Sequence, residues 1–526
     1  MESILILLPL APFASMLVAL LSAGVRGSIE QVWRRFCALS ALALLCALAL
    51  ALMYSVGRLP AAAFLPPSSG LALTTLGVWL AVLAQSLGTV IGVFSSRYLD
   101  GEPRQRRFIA ALAGVLAAVH GLLFADHWLV LIAAWAAIGF ALERLLCFYP
   151  ERPFALLAAF KKRLADRVAD GLLILAAALA WAEVGSGSLS ALGQQLAVGP
   201  ASAALQASAV CLVLAVILRT ALLPVHGWLI QVMEAPTPVS ALLHAGVVNL
   251  GGFVLIRFAP MLEAAPAARW LLVGVGLATA VLAGLVMLTR VSIKVRLAWS
   301  TVAQMGFMVL ECGLGLYTLA AAHLIGHSLY KAHAFLAASS VVRDSKLAAM
   351  RGRTRVSGAS LLWAPGGALA VVAMVQFAWP TQAWPWWWSG VLALAWAPLL
   401  WWPAVGEAGA RLFAARAMAG LAMLFALSVL ATLAHALPLG LRDAPLEAAG
   451  VVALAGMAAL YLNLALMQRE VPRLQTWRRW AYAGFYLDEF YTRLALRVWP
   501  ARWMPAASTP TDPLVLGAAT EMSNSK

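Results

Sequence analysis

The chain has 526 residues, 63% hydrophobic and 11% charged, with mean hydropathy +0.88 and net charge +15. No soluble domain of this size carries that composition, so a globular cytoplasmic enzyme is excluded. Its five cysteines (Cys37, Cys46, Cys147, Cys211 and Cys312) lie scattered in apolar runs, with neither metal spacing nor a disulfide rhythm, and read as small apolar fillers.

Apolar runs of about 17–25 residues, the length that crosses a hydrocarbon core, recur from end to end. We count roughly fifteen, near residues 2–23, 36–57, 71–95, 108–124, 128–148, 167–184, 203–222, 236–258, 270–289, 297–314, 318–341, 358–378, 386–404, 413–436 and 446–467. The first has no basic leader and no small-residue cleavage site, so it reads as a span and not a removed signal peptide. The expected fold class is an all-α polytopic membrane protein of about 14–15 transmembrane helices.

Lys and Arg gather in alternate loops. Arg26, Arg34 and Arg35 follow the first span, Arg97 to Arg107 the third, Arg152 to Arg167 the fifth, Arg290 to Arg296 the ninth, Arg343 to Arg355 the eleventh, and Arg411 and Arg416 the thirteenth. The intervening loops hold little beyond Arg58, Arg257, Arg269 and Arg442. This positive-inside pattern puts the N-terminus outside and the C-terminus in the cytoplasm. The net charge is thus mostly topology, and no nucleic-acid partner is expected. The loop at 227–236 should be cytoplasmic by parity yet holds no Lys or Arg.

Ionisable groups inside a bilayer cost roughly 2.5–3.5 kcal/mol each on insertion scales, so a chain that keeps several usually uses them. Segment five carries Glu143, a natural partner for Arg219 or one half of a snorkelling pair with Arg144. Arg219 ends segment seven, one turn before a break at Leu223–Pro224. Pro236 and Pro238 then open segment eight, which holds His244 and Asn249, with Glu234 at the boundary. Arginine titrates above about 12, so Arg219 suits a fixed counter-charge better than a proton carrier. Lys294 opens segment ten, facing the bundle or marking the cytoplasmic side, and Glu311 lies near its far end. His323, His327 and Lys331 recur every fourth residue of segment eleven and so stack on one helix face, with His333 off that stripe. Histidine titrates near neutrality and can pass a proton between its nitrogens, so this face reads as a relay.

A second break, Trp379–Pro380, lies five segments after the first. Paired broken helices point to inverted repeats around a transport path. The expected organisation is 1–106 for N-terminal helices, 107–258 and 269–405 for two five-helix repeats, 413–467 for C-terminal helices, and 468–526 for a tail. The tail segment QTWRRWAYAGFYLDEFYTRLALRVWP reads as an amphipathic helix at the cytoplasmic interface, either a membrane-surface anchor or a docking surface. No P-loop, dinucleotide fingerprint, zinc-ligand set or hydrolase triad occurs.

The stretch LRTALLPVHGWLIQVMEAPTPVSALLHAGVVNLGGFVLIR resembles the proton-translocating membrane subunits of respiratory complex I and the multi-subunit cation/proton antiporters. KVRLAWSTVAQMGFM, HLIGHSLYKAHAFLAASSVV and the WAAIGF region support it, over roughly residues 70–400. The resemblance implies two inverted five-helix repeats, each with a broken helix. It sets Arg219 where the family has its key lysine, and His244 and Lys294 on family positions. His323, His327 and Lys331 fall on the relay of the second repeat. Three departures stand out. Trp135 is followed by Ala136 where relatives have a glutamate, with Glu143 two turns on as the candidate substitute. No lysine falls between Lys346 and Lys526, so the broken twelfth helix lacks its usual one, with Gln376 and Gln382 flanking the break and Arg411 and Arg416 as candidate replacements. The chain also stops soon after FYLDEFYTRLALRVWP, where the L subunit of complex I runs on into a lateral helix and a further span.

A shortened relative with these changes is similar to the membrane subunits of bacterial inorganic-carbon accumulation (DAB) complexes. That likeness implies a bacterial inner-membrane location and no cofactor in this chain. It implies a large cytoplasmic DabA-like partner that resembles a β-carbonic anhydrase and carries zinc. The alternative is a pumping subunit of a quinone-linked complex or a cation/proton antiporter.

Overall fold

In the computed structural model the described residues are 8–57, 69–338, 356–380, 384–402, 410–469 and 475–500. The basic loop at 343–355, Gln382 and the end of the tail beyond residue 500 lie outside them. Each apolar segment coincides with a helix: α1 (Ala11–Ser22), α2 (Ile29–Ser55), α3 (Thr75–Tyr98), α4 (Gln105–Leu123), α5 (Trp128–Leu146), α6 (Pro153–Val184), α7 (Ala203–Arg219) and α8 (Thr237–Arg257). The series continues with α9 (Pro266–Met287), α10 (Ile293–Leu314), α11 (Tyr317–Leu336), α12 (Gly358–Ala378), α13 (Trp386–Trp396), α14 (Ala410–His435) and α15 (Glu447–Gln468). Among the described residues ten helices are long and apolar enough to cross a membrane, and those at Leu8–Ser22, Ala203–Arg219 and Trp386–Leu400 are apolar but shorter. The protein is a multi-pass α-helical membrane protein, in which every helix satisfies its own backbone where water is absent.

Side-chain oxygens start several helices. Ser28 and Gln31 form a capping box before α2, and Thr74 and Ser202 accept the first free amides of α3 and α7. The helices then pack in sequential antiparallel pairs: α1 on α2, α2 on α3, α4 on α5, α6 on α7, and α9 on α10. The α9–α10 pair meets backbone to backbone, because a Cβ at Gly276 would come within 2.8 Å of Gly306 O. Small residues that permit such approach are the usual means of helix association in lipid. Non-sequential contacts then join α8 to α11 and α13 to α15, so α8 seats the first half against the second.

The first predicted break interrupts a span, whereas Pro380 lies in a turn between two antiparallel helices, since the start of α12 meets the end of the segment that follows (Ser357 N to Trp402 O, 2.8 Å). After α7 the chain leaves helical geometry with Ala221 at φ 55°, passes a cis Leu223–Pro224 bond, and resumes as the short helix Gly227–Gln231. Pro236 precedes α8 and Pro238 lies in its first turn. In the second half α12 ends at Ala378, Pro380 follows, and α13 begins at Trp386. A further interruption was not legible in the pattern. α8 is helical over Thr237–Ala245, bends at Gly246, tightens into a 3-10 turn at Val247–Asn249 and resumes at Leu250. Short 3-10 pieces within a helix often mark functional hinges, and this one carries His244 and Asn249 at its edges.

Two expectations need correction. The stretch 149–167, read as a polar loop, is largely helix: α6 begins at Pro153 and runs 32 residues. Its charges are not all solvated, since Lys161 and Lys162 are buried and paired inside the protein. The tail is two helices, α16 (Gln475–Tyr482) and α17 (Leu487–Val498), folded about Phe485 and Tyr486, both with φ 56°. α17 docks on α6 and on the short helix after the break, so it is more than a surface anchor.

Contacts sort the loops onto two faces. On the tail face Arg106 donates to Val25 O (2.9 Å), Arg104 to Phe148 O (3.2 Å) and Arg152 to Glu234 O (2.6 Å), while Arg290 lies over Tyr482. The residue 227–236 loop, without Lys or Arg, therefore belongs to that face as parity required. On the opposite face Arg257 pairs with Asp126 (2.7 Å) and Thr318 with Asp443 (2.6 Å). Arg269 also holds that face together, donating to Gly313 O (3.0 Å) and Ala444 O (2.7 Å) from a buried position. Arg269→Leu removes two charge-assisted bonds to carbonyls and is expected to cost about 2–3 kcal/mol, read as a lower thermal midpoint of the detergent-solubilised protein.

Candidate functional site: two buried polar files

The second half holds a file of polar side chains along α10 and α11. Because α11 rises about 1.5 Å per residue, His323 and Lys331 stand roughly 12 Å apart on one face. Lys331 is fully buried near the tail face, donating to Leu297 O (3.0 Å) and to the Ser300 hydroxyl. One turn along, His327 Nδ1 meets Asn249 Oδ1 at 3.1 Å, and Asn249 Nδ2 donates to Ser328 Oγ (2.7 Å) and Ala245 O (2.8 Å). A further turn along, His323 Nδ1 meets Glu311 Oε2 at 2.8 Å, and the two histidine rings lie 6.1 Å apart. Glu311, left ambiguous by the pattern, is thus the buried acid of the file. A cavity of about 520 Å³ opens beside it, lined by Ser300, Gln304, Glu311, His323 and Trp388 among others.

His244 approaches the same face from α8. Its ring is fully buried and stacks on Phe335, 4.6 Å between centroids, one turn beyond Lys331. Among the described residues neither ring nitrogen has a hydrogen-bond partner, nor has His327 Nε2. Buried polar nitrogens are normally satisfied, so these rings are poised for transient partners. Lys294 stands apart, half-buried at the start of α10, donating to Thr237 Oγ1 (2.8 Å) at the foot of α8. His333, off the stripe, is exposed.

The first half holds a second file, on α6, which sequence reasoning missed. Arg219 is buried and pairs with Asp170, not Glu143; its second nitrogen donates to Trp135 O (2.8 Å) and its guanidinium lies 4.9 Å from the Trp135 ring. Glu143 instead meets Arg163 at 3.1 Å, with both side chains partly exposed. The reason is geometric: α6 packs on α7 and turns Asp170 toward Arg219, whereas Glu143 faces the rim. Below Asp170 the same helix carries Asp166, paired with Lys162 one turn back, and then Lys161. The signal was available as acids four residues apart (Asp166, Asp170) where a basic stretch passes into an apolar run. It was obscured by reading 149–167 as loop.

Among the described residues no titratable side chain lies in the turn between α12 and α13. Gln376 Nε2 donates to Thr432 Oγ1 (3.1 Å) and Gln376 Oε1 accepts from Trp384 N (3.3 Å), a structural bridge across that turn. Arg411 is exposed on α14 and does not reach this point. Among the described residues no group of three or more His, Cys, Asp or Glu is arranged to hold a metal.

Buried charge on broken, antiparallel membrane helices defines an antiporter-like membrane subunit of the cation/proton-conducting type. The family model described as NADH:quinone oxidoreductase/Mrp antiporter, TM matches residues 125–380, the span that contains both files. A Hydrogenovibrio crunogenus protein named "Probable inorganic carbon transporter subunit DabB" is 36% identical over 481 residues, covering 82% of this chain and 85% of that protein. The Halothiobacillus neapolitanus "Probable inorganic carbon transporter subunit DabB2" is 46% identical over 291 residues, about half of each chain. In the structure of the Mrp complex from Dietzia sp. DQ12-45-1b, one chain superposes with a TM-score of 0.57 at 23% identity, covering 99% of this chain and 59% of that one, which shows a shared fold. The chain belongs to the DabB family of inorganic carbon transporter subunits.

Proposed function

We propose that this chain is the energy-coupling membrane subunit of an inorganic-carbon accumulation complex. It conducts protons, or another cation, down their gradient. That flow drives one-way conversion of CO2 to bicarbonate in a large cytoplasmic DabA-like partner, which carries the zinc and the carbonic-anhydrase-like chemistry. The observation that carries the reading is the α10–α11 file. Its groups, Lys331, His327 with Asn249, and His323 with Glu311, span roughly 12 Å of otherwise apolar interior. Ionisable groups so placed default to a transport role.

The two five-helix repeats are assigned to 107–258 and 269–405, with the break at Pro224 in the first. The basic loops share a face with the tail, so the positive-inside rule makes that face cytoplasmic and sets the N-terminus in the periplasm of a bacterial inner membrane. On this reading Lys294 and Lys331 lie toward the cytoplasm and His323 toward the periplasm. With a glutamine bridge beside the Pro380 turn, the ion enters past Thr318, Asp443 and His435, which are already hydrogen-bonded together (Thr318 Oγ1 to His435 Nδ1, 2.7 Å).

The test is complementation of a bacterium that needs elevated CO2. Co-expression of this chain with its zinc-carrying partner is expected to restore growth at ambient CO2, and either protein alone is not. Restoration by the partner alone, or failure of the pair alongside quinone-linked proton pumping, would overturn the carbon-transport reading in favour of a respiratory subunit.

A further inference from the structure

The α6 file does not end on its own helix. Lys161 is fully buried, yet its ammonium donates to Asp488 Oδ1 at 2.6 Å and to Thr492 Oγ1 at 3.0 Å, both on α17, more than 300 residues away in the chain. Gln231, on the short helix after the first break, donates to the other oxygen of Asp488 (3.4 Å). Gly227 opens that short helix where the tail arrives, and a Cβ there would overlap the Asp488 carboxylate. Tyr491, one turn on, donates to Lys161 O (3.4 Å). Burial, and then the nearby carboxylates of Asp488 and Asp166, push its phenol up to about 12, so it stays a neutral donor between two acids. His226, at the break itself, is buried against Trp299 with its Nε2 unpartnered.

Asp488 is the most exposed charge of this group, with 27% of its side chain accessible, against 15% for Asp166 and Asp170, 4% for Lys162 and none for Lys161. Inward from it, charges of both signs follow along α6 over roughly 12 Å: Lys161 and Lys162, Asp166, then Asp170 with Arg219. A surface anchor needs no carboxylate aimed into the protein, and a docking contact needs no continuation behind it.

We infer that the chain's own C-terminal segment completes an ion path through the first half, with Asp488 as the terminal carboxylate that exchanges protons between solvent and the α6 file. The inference rests on the conducting function proposed above. A proton taken from solvent by the Asp488 carboxylate leaves the buried Lys161 ammonium without its counter-charge, which favours passing the lysine's own proton inward toward Asp166; deprotonated Lys161 then takes the proton from Asp488, and the carboxylate is restored. An unpaired buried charge is costly, so the handover follows from the pairing itself.

The test uses the full-length chain in liposomes containing a pH-sensitive dye, with proton flux driven by a potassium diffusion potential. Asp488→Asn keeps the shape and one acceptor oxygen but cannot titrate, and flux is expected to fall by at least about tenfold, the effect of ~1.4 kcal/mol on a barrier. Asp488→Glu is expected to retain most of it. Thr492→Ala removes another Lys161 contact but no carboxylate, and flux should be close to wild type. Equal losses in Asp488→Asn and Thr492→Ala indicate docking alone and overturn the inference, as does unchanged flux in Asp488→Asn. A wild-type chain with no flux overturns this inference together with the conducting function.

Discussion

Lys331→Met is expected to abolish cation flux through the reconstituted protein, by about 10²-fold or more, the contribution of a positioned proton-transferring group. Lys331 is fully buried and held by Leu297 O and Ser300 at the end of the α11 stripe nearest the tail face. Methionine matches its length and packs in the same space but carries no proton. The fold should not suffer, because removing a buried ammonium also removes its desolvation cost, so the thermal midpoint is expected to stay level or rise. Lys331→Arg separates charge from titration: a guanidinium keeps the charge but holds its proton to above about pH 12, so flux should be lost there too. Wild-type flux in Lys331→Met, in protein with an unchanged thermal midpoint, would remove the lysine from the path and leave the file with a structural role.

Asp170→Ala is expected to destabilise the protein by about 3–5 kcal/mol, because it leaves the Arg219 guanidinium buried without its partner. The double variant Asp170→Leu with Arg219→Met should recover most of that loss, since replacing a buried pair by apolar groups of similar size is often neutral or better. The comparison that locates the true partner is Glu143→Gln. Its pair with Arg163 is partly exposed at 3.1 Å, so the change should cost no more than about 1 kcal/mol. Thermal unfolding in detergent reads all three. A large loss in Glu143→Gln with none in Asp170→Ala would contradict the pairing described above.

The site was partly legible in the chain. His323, His327 and Lys331 declared themselves because a fourfold spacing of ionisable groups within an apolar run leaves one helix face as their common address. Their partners did not. Asn249, Ser300 and Glu311 come from other helices, and which of their faces meets α11 is a packing outcome. Lys161 and Lys162 misled outright: basic residues before an apolar run look like a solvated flank, and only the arrival of Asp488 and the facing of Asp166 make their burial tolerable. The substitution of Ala136 after Trp135 also reads differently in three dimensions. The Trp135 carbonyl accepts from Arg219, whose acid partner is Asp170 on the neighbouring helix.

By itself the sequence determined most of the helices and which loops are basic. Those follow from transfer free energies and local backbone preferences that each segment carries alone: apolar length, proline at the breaks, charge near the ends. The tertiary structure alone decided which charge answers which. Arg219 with Asp170, and Lys161 with Asp488 across 327 positions, depend on the distance and orientation of helix faces that no segment encodes by itself. In a low-dielectric interior that pairing decides whether a buried charge is tolerated, and so it shapes where ions can move.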